Sequence, residues 1–399
     1  MKKLFSSILF IAASVSMFAQ PVVYLDFVTH NEETGQWNNS GYYSNNRNKL
    51  ITLSNYFQNN GITWNMQSDW VYLSNVLGED LTTMSNTGNK NILRWMFEDK
   101  GVEMDPHGHE TQYIYPDLVK LMDSIGLPES KLMGGTLHNQ SNGINPWTNL
   151  INGQYGLVFP DKFWQPDYMM GGGTPNHVND LKYYGFWNPK DTINYLTHEP
   201  ANHLRHIGVG CELKIKDTTT VAEIVDAVND LIHKVQSGQY PWSGFYVQTI
   251  FFKQGDLNNN FFYNKVITIA DSLNSIVATG LAQWKTLKQA YYLWESAHNA
   301  QTFQLECGDV SNNIPKISFE NSVVIYPNLF NSSATLEVTG KDYSECILKI
   351  CDIFGKEIKS FNITHQKTEI NKGDLSGGIY FYKIINNNNF IASGKIVVQ

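Results

Sequence analysis

The stretch Val22-Val23-Tyr24-Leu25-Asp26-Phe27 is a short apolar run that ends in polar side chains. A run of this kind predicts a strand buried on both faces, as in a parallel sheet. Comparable runs recur along the chain, and stretches with helical periodicity separate them. Repeated strand–helix units without antiparallel hairpins predict an α/β fold with a parallel sheet, either a barrel or a doubly wound sheet.

The predicted elements fill residues 20–305, a segment long enough for one large domain. Strands are predicted over 22–27, 62–66, 102–105, 133–137, 207–213 and 246–252, and helices over 46–59, 91–99, 116–125, 221–235, 264–278 and 281–304. Residues 140–190 break the pattern with many Gly, Asn, Pro and aromatic residues. They predict either a long functional loop or elements that periodicity does not reveal.

Charge and aromatic content narrow the range of partners. The formal net charge is −8, so no basic stripe is present to neutralise phosphates, and nucleic acid is excluded as a partner. Aromatic residues make up 13% of the chain and charged residues only 17%. Such a composition suits stacking on a flat, neutral partner, and a polysaccharide or other glycan is the predicted substrate.

The N-terminus has the pattern of a signal peptide. Two lysines precede an apolar run from Leu4 to Phe18, and Ala19 lies beside the predicted cleavage point. The run is too short for a stable membrane span. We therefore predict a signal peptide over residues 1–19. No other stretch reaches 18 apolar residues, so no integral membrane segment is expected in the mature form.

Residues 317–399 alternate β-branched and aromatic runs with Gly, Asn and Lys turns, which predicts a small all-β, Ig-like sandwich. Its motifs are Tyr326-Pro327-Asn328, Asp352-Ile353-Phe354-Gly355-Lys356, Gly378-Ile379-Tyr380-Phe381-Tyr382 and Gly394-Lys395-Ile396-Val397-Val398. In these motifs the segment resembles the type A C-terminal sorting domain of the type IX secretion system, although Leu329 replaces a usual proline. The resemblance implies a cargo of that machinery, secreted or kept at the cell surface. Residues 306–316 form the predicted linker.

The four cysteines form no metal-binding pattern. An exported location permits disulfides, and Cys211 could pair with Cys307, but the sequence does not decide this. Cys346 and Cys351 are five residues apart on a predicted strand and would face opposite sides, which favours buried thiols.

Two predicted strands lead into clusters of histidine and carboxylate side chains. The first cluster contains Asp26, His30 and Glu32, and the second contains His107, His109 and Glu110. An Asp that ends a buried apolar run is costly to desolvate unless it is paired or metal-bound. Ligands bind at the carboxyl ends of parallel strands, so we predict one metal site with Asp26, His30, His107 and His109 as ligands or close neighbours. One Asp with two histidines favours a divalent transition metal, Zn²⁺ first, over Ca²⁺.

The same segments resemble the polysaccharide deacetylase (NodB-type) superfamily. Asp26 stands at the place of the family's metal-ligand Asp, and Glu103-Met104-Asp105-Pro106-His107 resembles the start of its second motif. Two features depart from the family: the adjacent second Asp is missing, and Thr111 occupies the place of the second histidine. The resemblance implies a distorted α/β barrel and a metal held by one Asp and two histidines.

If the site is hydrolytic, Asp26, Glu32 and Glu110 are candidate general bases, and His198 is a candidate acid, with His177 and His138 as further candidates. His177 also joins Trp147, Trp164 and Trp187 as predicted substrate-binding residues, with core packing an equal alternative for the three tryptophans. The histidines at 203, 206, 233, 298 and 365 are interpreted as structural.

Two hypotheses follow from these residues. The first is a secreted, metal-dependent hydrolase of polysaccharide, deacetylase-like, with a glycoside hydrolase on the same barrel as its variant. The second is a catalytically inactive surface protein for glycan binding or adhesion, and the missing second Asp favours it.

Overall fold

The computed structural model describes residues 21–32, 34–108, 112–135, 146–170, 182–298, 300–308, 322–339, 346–352, 356–386 and 389–399. One compact unit spans Pro21–Pro315, and a second contains Lys316–Gln399. The boundary between the units falls at the end of the predicted linker, residues 306–316. The predicted signal peptide lies outside the described residues.

The first unit alternates strands and helices along much of its length. Its strands are β1 (Val23–His30), β2 (Trp64–Ser68), β3 (Glu103–Gly108), β4 (Leu132–Gly135), β5 (Gln154–Tyr155), β6 (Phe163–Trp164), β7 (Tyr168–Met169), β8 (Lys182–Trp187), β9 (Arg205–Cys211), β10 (Leu213–Lys214), β11 (Tyr246–Lys253), β12 (Ala282–Trp284) and β13 (Leu305–Glu306). Its helices are α1 (Thr34–Trp37), α2 (Ser40–Asn59), α3 (Trp70–Leu77), α4 (Ile92–Lys100), α5 (Tyr115–Ser124), α6 (Pro146–Asn152), α7 (Val221–Gln236), α8 (Asn260–Val277) and α9 (Leu287–Ala297). Short 3₁₀ helices span Thr83–Thr87 and Gln254–Asn258.

All of these strands except β5 and β6, which pair with each other as an antiparallel hairpin, form a curled, largely parallel sheet. Its order is β10-β11-β1-β2-β3-β4-β7-β9-β8-β13, with β12 paired to β1. Neighbours from β10 to β9 run parallel, whereas β8 is antiparallel to both β9 and β13. The expectation of a unit without antiparallel pairs is therefore wrong. The interval 140–190 is also not one long loop, because it contains α6 and β5 to β8.

Local sequence explains where the helices begin and end. The side chain of Asn91 accepts a hydrogen bond from the backbone N–H of Arg94 at the start of α4, and Gly101 ends that helix with φ near +72°. Thr220 and Glu223 form a reciprocal capping box at the start of α7. These helices cover one face of the sheet with their apolar sides.

Strand β1 separates two apolar layers. Phe27 packs in the larger core with the surrounding helices, whereas Tyr24 and Val28 pack in a second core that includes residues of α9. Side chains alternate along a strand, so Asp26 and His30 project to the same inner face as Tyr24 and Val28.

Strands β11 and β9, near the two ends of the parallel part of the sheet, approach each other. Gln248 on β11 donates a hydrogen bond from Nε2 to the backbone oxygen of Cys211 on β9, 2.8 Å away, and accepts one from the hydroxyl of Tyr184 at 3.0 Å. Cys211 forms a disulfide with Cys307, the pairing that the sequence left open. The disulfide joins the segment that follows β13 to the carboxyl end of β9.

The second unit is all-β over its described residues. Its strands are β14 (Ser322–Tyr326), β15 (Ser333–Thr339), β16 (Cys346–Cys351), β17 (Glu357–Ile363), β18 (Lys367–Asn371), β19 (Gly378–Asn386) and β20 (Asn389–Val398). They form antiparallel sheets in the orders β14-β15-β18 and β17-β16-β19-β20. Apolar residues from both sheets, including Leu336, Ile350 and Ile384, share one core. The Ig-like character of the unit stays a prediction.

Candidate metal centre

The carboxyl ends of β1 and β3 bring three predicted side chains together. Glu32 Oε1 lies 2.9 Å from His30 Nδ1 and 2.9 Å from His107 Nε2, and the two imidazole centroids are 3.9 Å apart. Across the part of the chain that the structure describes, these residues form the group of three whose potential ligand atoms all lie within 4.8 Å of one another.

The group is closed on one side and open on the other. The side chain of His107 is 2% exposed, that of His30 is 16% exposed and that of Glu32 is 34% exposed. The ring of Phe251 on β11 lies edge-on to His30, with 4.6 Å between the centroids. Of the three side chains, that of Glu32 is therefore the most accessible to solvent.

The residue between His30 and Glu32 fixes their loop to the neighbouring strand. Asn31 is fully buried, and its Nδ2 donates to Ser68 Oγ at 2.9 Å, while its Oδ1 accepts from the backbone N–H of Asp69 at 2.8 Å. These bonds join the loop after β1 to the carboxyl end of β2 and so fix the backbone between His30 and Glu32 to that strand.

The side chains present fit a transition metal. Two imidazole nitrogens and one carboxylate oxygen are a ligand set used for Zn²⁺ and for neighbouring metals. Atoms bound to one such ion at about 2.0–2.2 Å lie roughly 3–4 Å apart. The 2.9 Å separations in this group are close to that range, so a small outward movement accommodates an ion.

Asp26 is not part of this group. Strand β1 continues to His30, so the expectation that Asp26 ends the first strand is wrong. Its fully buried carboxylate accepts a hydrogen bond through Oδ2 from the backbone N–H of Leu287, 3.2 Å away, at the start of α9. Burial, followed by repulsion from Glu103, raises the pKa of Asp26 well above its ordinary value. The N-terminus of α9 thus partly offsets the cost of burying Asp26.

The remaining predicted polar residues lie elsewhere. His198 sits between β8 and β9, where its Nδ1 accepts from the backbone N–H of Asn188 at 3.1 Å and its Nε2 lies 3.2 Å from Thr302 Oγ1. Burial lowers the pKa of His198. It does not join the group of His30. The predicted residues His109, Glu110, His138 and His177 lie outside the described residues.

Two of the predicted sugar-stacking tryptophans belong to the core. Trp164 and Trp187 are fully buried, and their indole N–H groups donate to the backbone oxygens of Ser130 and Tyr195, respectively. A buried ring presents no face to a sugar, so for these two residues the alternative of core packing is correct. Trp147 on α6 is half-buried against the larger core, and its predicted role remains a prediction.

A different row of aromatic rings lies next to the loop after β1, which carries Asn31 and Glu32. Trp70 stacks on Tyr113, with centroids 4.7 Å apart and planes at 19°, and on Phe159 at 6.1 Å and 29°. All three rings are half-buried. Trp70 directly follows Asp69, whose backbone N–H binds Asn31. Trp70 follows the strand predicted over 62–66, but a single tryptophan after a strand carries no sequence signal for stacking on distant rings.

Comparison with known proteins identifies the C-terminal segment. Residues 324–399 match the family model described as a secretion system C-terminal sorting domain, which confirms the resemblance seen in the sequence. The protein is exported through type IX secretion to the cell surface or the extracellular space. Within the described residues, no helix combines the length and hydropathy of a membrane span.

The other comparisons show weaker similarities. No curated protein matches the chain. Among solved structures, the chain is similar to PorZ, a surface component of the type IX secretion system of Porphyromonas gingivalis, with 16% identity, coverage of 20% of this chain and 11% of PorZ, and a TM-score of 0.18. It is also similar to a 4-alpha-glucanotransferase from Thermococcus litoralis, with 10% identity, coverage of 68% of this chain and 40% of that enzyme, and a TM-score of 0.36. The chain therefore spans less than half of either protein, and TM-scores this low do not establish a shared fold. The resemblance to polysaccharide deacetylases is not supported by these comparisons.

Proposed function

We propose that this exported protein is a metal-dependent hydrolase of polysaccharide whose curled sheet closes into a distorted α/β barrel. Closure is supported by the hydrogen bond from Gln248 on β11 to the backbone of Cys211 on β9. The inner face of such a barrel would contain His30 and His107 at the carboxyl ends of their strands, where ligands bind in parallel α/β folds.

The observation that carries the proposal is the convergence of His30, Glu32 and His107. The group comes from two strands that are separated by β2 in the sheet, and its three donor atoms point to one place. His30 and His107 would hold a divalent transition metal, Zn²⁺ first, with Glu32 as the third ligand on the solvent side. When bound, the metal supplies Lewis-acid chemistry at the scissile bond.

The chain's own residues also provide a surface for a glycan. The stacked rings of Trp70, Tyr113 and Phe159 lie beside the loop after β1. The connection is the hydrogen bond from the backbone N–H of Asp69, the residue before Trp70, to Asn31 in that loop. Aromatic rings suit the flat apolar faces of sugar rings. We propose that this row, in place of Trp164 and Trp187, contacts the substrate.

Within the hydrolases, deacetylation is the first reaction to test, because residues 103–107 resemble the deacetylase motif, and glycoside hydrolysis is the second. The purified full chain is assayed for acetate release and for new reducing ends on a panel of glycans, before and after treatment with a chelator and readdition of Zn²⁺. We expect turnover that the chelator abolishes and Zn²⁺ restores. Glu32→Gln should be inactive, and Glu212→Gln, an exposed carboxylate elsewhere on the unit, should be active.

Glycan binding without turnover on any substrate would contradict the hydrolase and establish the inactive surface-binding protein instead. Turnover that survives the chelator and Glu32→Gln would contradict the metal centre as the place of reaction.

A further inference from the structure

Gln67 lies on β2, between the two strands that supply the ligands, and is fully buried. Its Oε1 is 3.2 Å from His107 Nδ1, and its Nε2 is 3.1 Å from the Sδ atom of Met170. The amide thus bridges a candidate metal ligand and a thioether across the inner face of the sheet.

The thioether defines which way the amide points. A thioether sulfur only accepts hydrogen bonds, so the amide N–H₂ faces Met170 and the carbonyl oxygen faces His107. A carbonyl oxygen only accepts, and therefore His107 Nδ1 carries the proton of this hydrogen bond. In the neutral imidazole with this tautomer, Nε2 presents its lone pair toward Glu32 Oε1, 2.9 Å away, so the two atoms can act as ligands of one cation.

Strand β4, on the far side of β3 from Gln67, leaves space for this amide. A Cβ atom added to Gly134 on β4 would lie 1.7 Å from Gln67 Oε1 and 2.4 Å from its Cδ atom. Any larger residue at position 134 would therefore push the amide off His107. Gly134 thus makes room for the orientation in which the amide contacts both His107 and Met170.

We propose that Gln67 is a positioning residue for the metal centre: it holds the Nδ1–H tautomer of His107 and so presents the Nε2 lone pair to the ion. This inference rests on the proposed function, since it assigns the residue that orients one ligand of that site. Groups that orient a ligating histidine change metal affinity by roughly 10- to 100-fold when they are removed.

The first test uses the metal-free full chain with ¹⁵N-labelled histidines at about pH 8, above the ordinary histidine pKa. Nitrogen–proton correlation spectra report which ring nitrogen of His107 is protonated, and His107→Ala assigns the signal. We expect protonation at Nδ1 in the wild type. Protonation at Nε2 in the wild type overturns the proposal without any variant.

The second test measures Zn²⁺ affinity by competition with a chromophoric chelator. Gln67→Met keeps the bulk and loses the acceptor, and we expect a roughly 10- to 100-fold weaker Kd. Gln67→Glu keeps an oxygen acceptor and should retain both the Nδ1–H tautomer and most of the affinity. Gln236→Met, the same change at a half-buried glutamine on α7, is the matched control and should bind as the wild type does.

The outcomes separate this inference from the proposed function. A folded Gln67→Met variant with wild-type affinity and an unchanged tautomer overturns the role of Gln67 and leaves the metal site standing. A wild type that binds no Zn²⁺, but whose His107 tautomer changes in Gln67→Met, overturns the metal site and supports the effect of Gln67 on His107.

Discussion

Asp26 and His30 lie on the same face of β1 but contact different groups. Asp26 binds the N-terminus of α9, whereas His30 meets Glu32 and His107 at the other end of the strand. Four residues of extended chain span roughly 13 Å, too far for two ligands of one ion. The sequence puts both residues on or beside the first strand but does not show where that strand ends, so it predicts Asp26 nearer to the metal site than the structure has it.

Substitution of Asp26 tests how its raised pKa affects the stability of the protein. Its folded-state pKa is raised, first by burial and then by Glu103, so the folded state binds the proton more tightly than the unfolded state does. Stability present below the unfolded pKa of about 4 is then lost as pH rises toward the folded pKa, by up to about 1.4 kcal/mol per pH unit. Asp26→Asn removes this loss. The free energy of unfolding of the variant, relative to that of the wild type, should therefore increase as pH rises. Urea unfolding over a pH series measures the difference, and parallel curves would refute this account of Asp26.

Trp70 provides a residue-scale test of substrate contact. Loss of one stacking ring costs about 0.5–1.5 kcal/mol, so Trp70→Ala should raise KM roughly two- to tenfold and change kcat little. Steady-state kinetics on a glycan that the protein turns over give both constants. Tyr292→Ala removes an aromatic ring that is 52% exposed on α9 and serves as the control. An unchanged KM in a folded Trp70→Ala variant argues against the aromatic row as a sugar contact.

His30, Glu32 and His107 could be singled out from the sequence because polar residues directly after apolar runs mark the ends of strands. Gln67 and Trp70 could not, because their importance depends on which strands are neighbours and in what register. That information resides in pairs such as Gln67 with Asp105 across β2 and β3, which a single sequence does not specify.

Helix α5 anchors a distant hairpin through one buried carboxylate. Asp117 accepts hydrogen bonds at 2.9–3.0 Å from the backbone N–H groups of Leu157, Val158 and Phe159, and a further one from Ile114. A predicted helix starts at Pro116, and α5 spans Tyr115–Ser124. The hydrophobic pattern of the sequence does not reveal the anchored segment, because β5 and β6 have only two residues each. Hydrogen bonds from backbone N–H groups to a carboxylate also require no apolar pattern.

Asp117→Asn tests this clamp at the scale of the element. An amide offers one acceptor oxygen where the carboxylate offers two, so its N–H₂ would face backbone donors. We expect a loss of about 2–3 kcal/mol in the free energy of unfolding and faster hydrogen exchange at 157–159. Asp123→Asn, on the same helix but at its surface, is the control and should change stability by less than about 0.5 kcal/mol. Equal behaviour of the two variants would show that the hairpin does not depend on Asp117.

At the scale of the whole molecule, the Cys211–Cys307 disulfide suits an exported protein. It joins residues 96 positions apart, so it constrains the unfolded chain strongly. Cys211→Ala/Cys307→Ala should lower the free energy of unfolding by about 2–5 kcal/mol. Denaturation with and without reductant provides the control, because reductant should weaken the wild type and leave the double variant unchanged. A wild type insensitive to reductant would contradict a stabilising role for this bond.

The α/β class, the all-β tail and its secretory role could be predicted from local patterns and from motifs near the C-terminus. The curl of the sheet and the antiparallel return of β8 could not, because they depend on long-range pairing through the irregular segment 188–204. The two units have different roles. Residues 324–399 direct export, and the candidate metal centre lies in the larger unit.

The central claim is that His30, Glu32 and His107 hold one metal ion. Its most direct test is the zinc content of the purified full chain after loading with Zn²⁺ and removal of the excess, measured by elemental analysis. We predict about one equivalent in the wild type and in Asp26→Asn, and close to none in His30→Ala/His107→Ala. A metal-free wild type, or a double variant that keeps its zinc, would contradict the account.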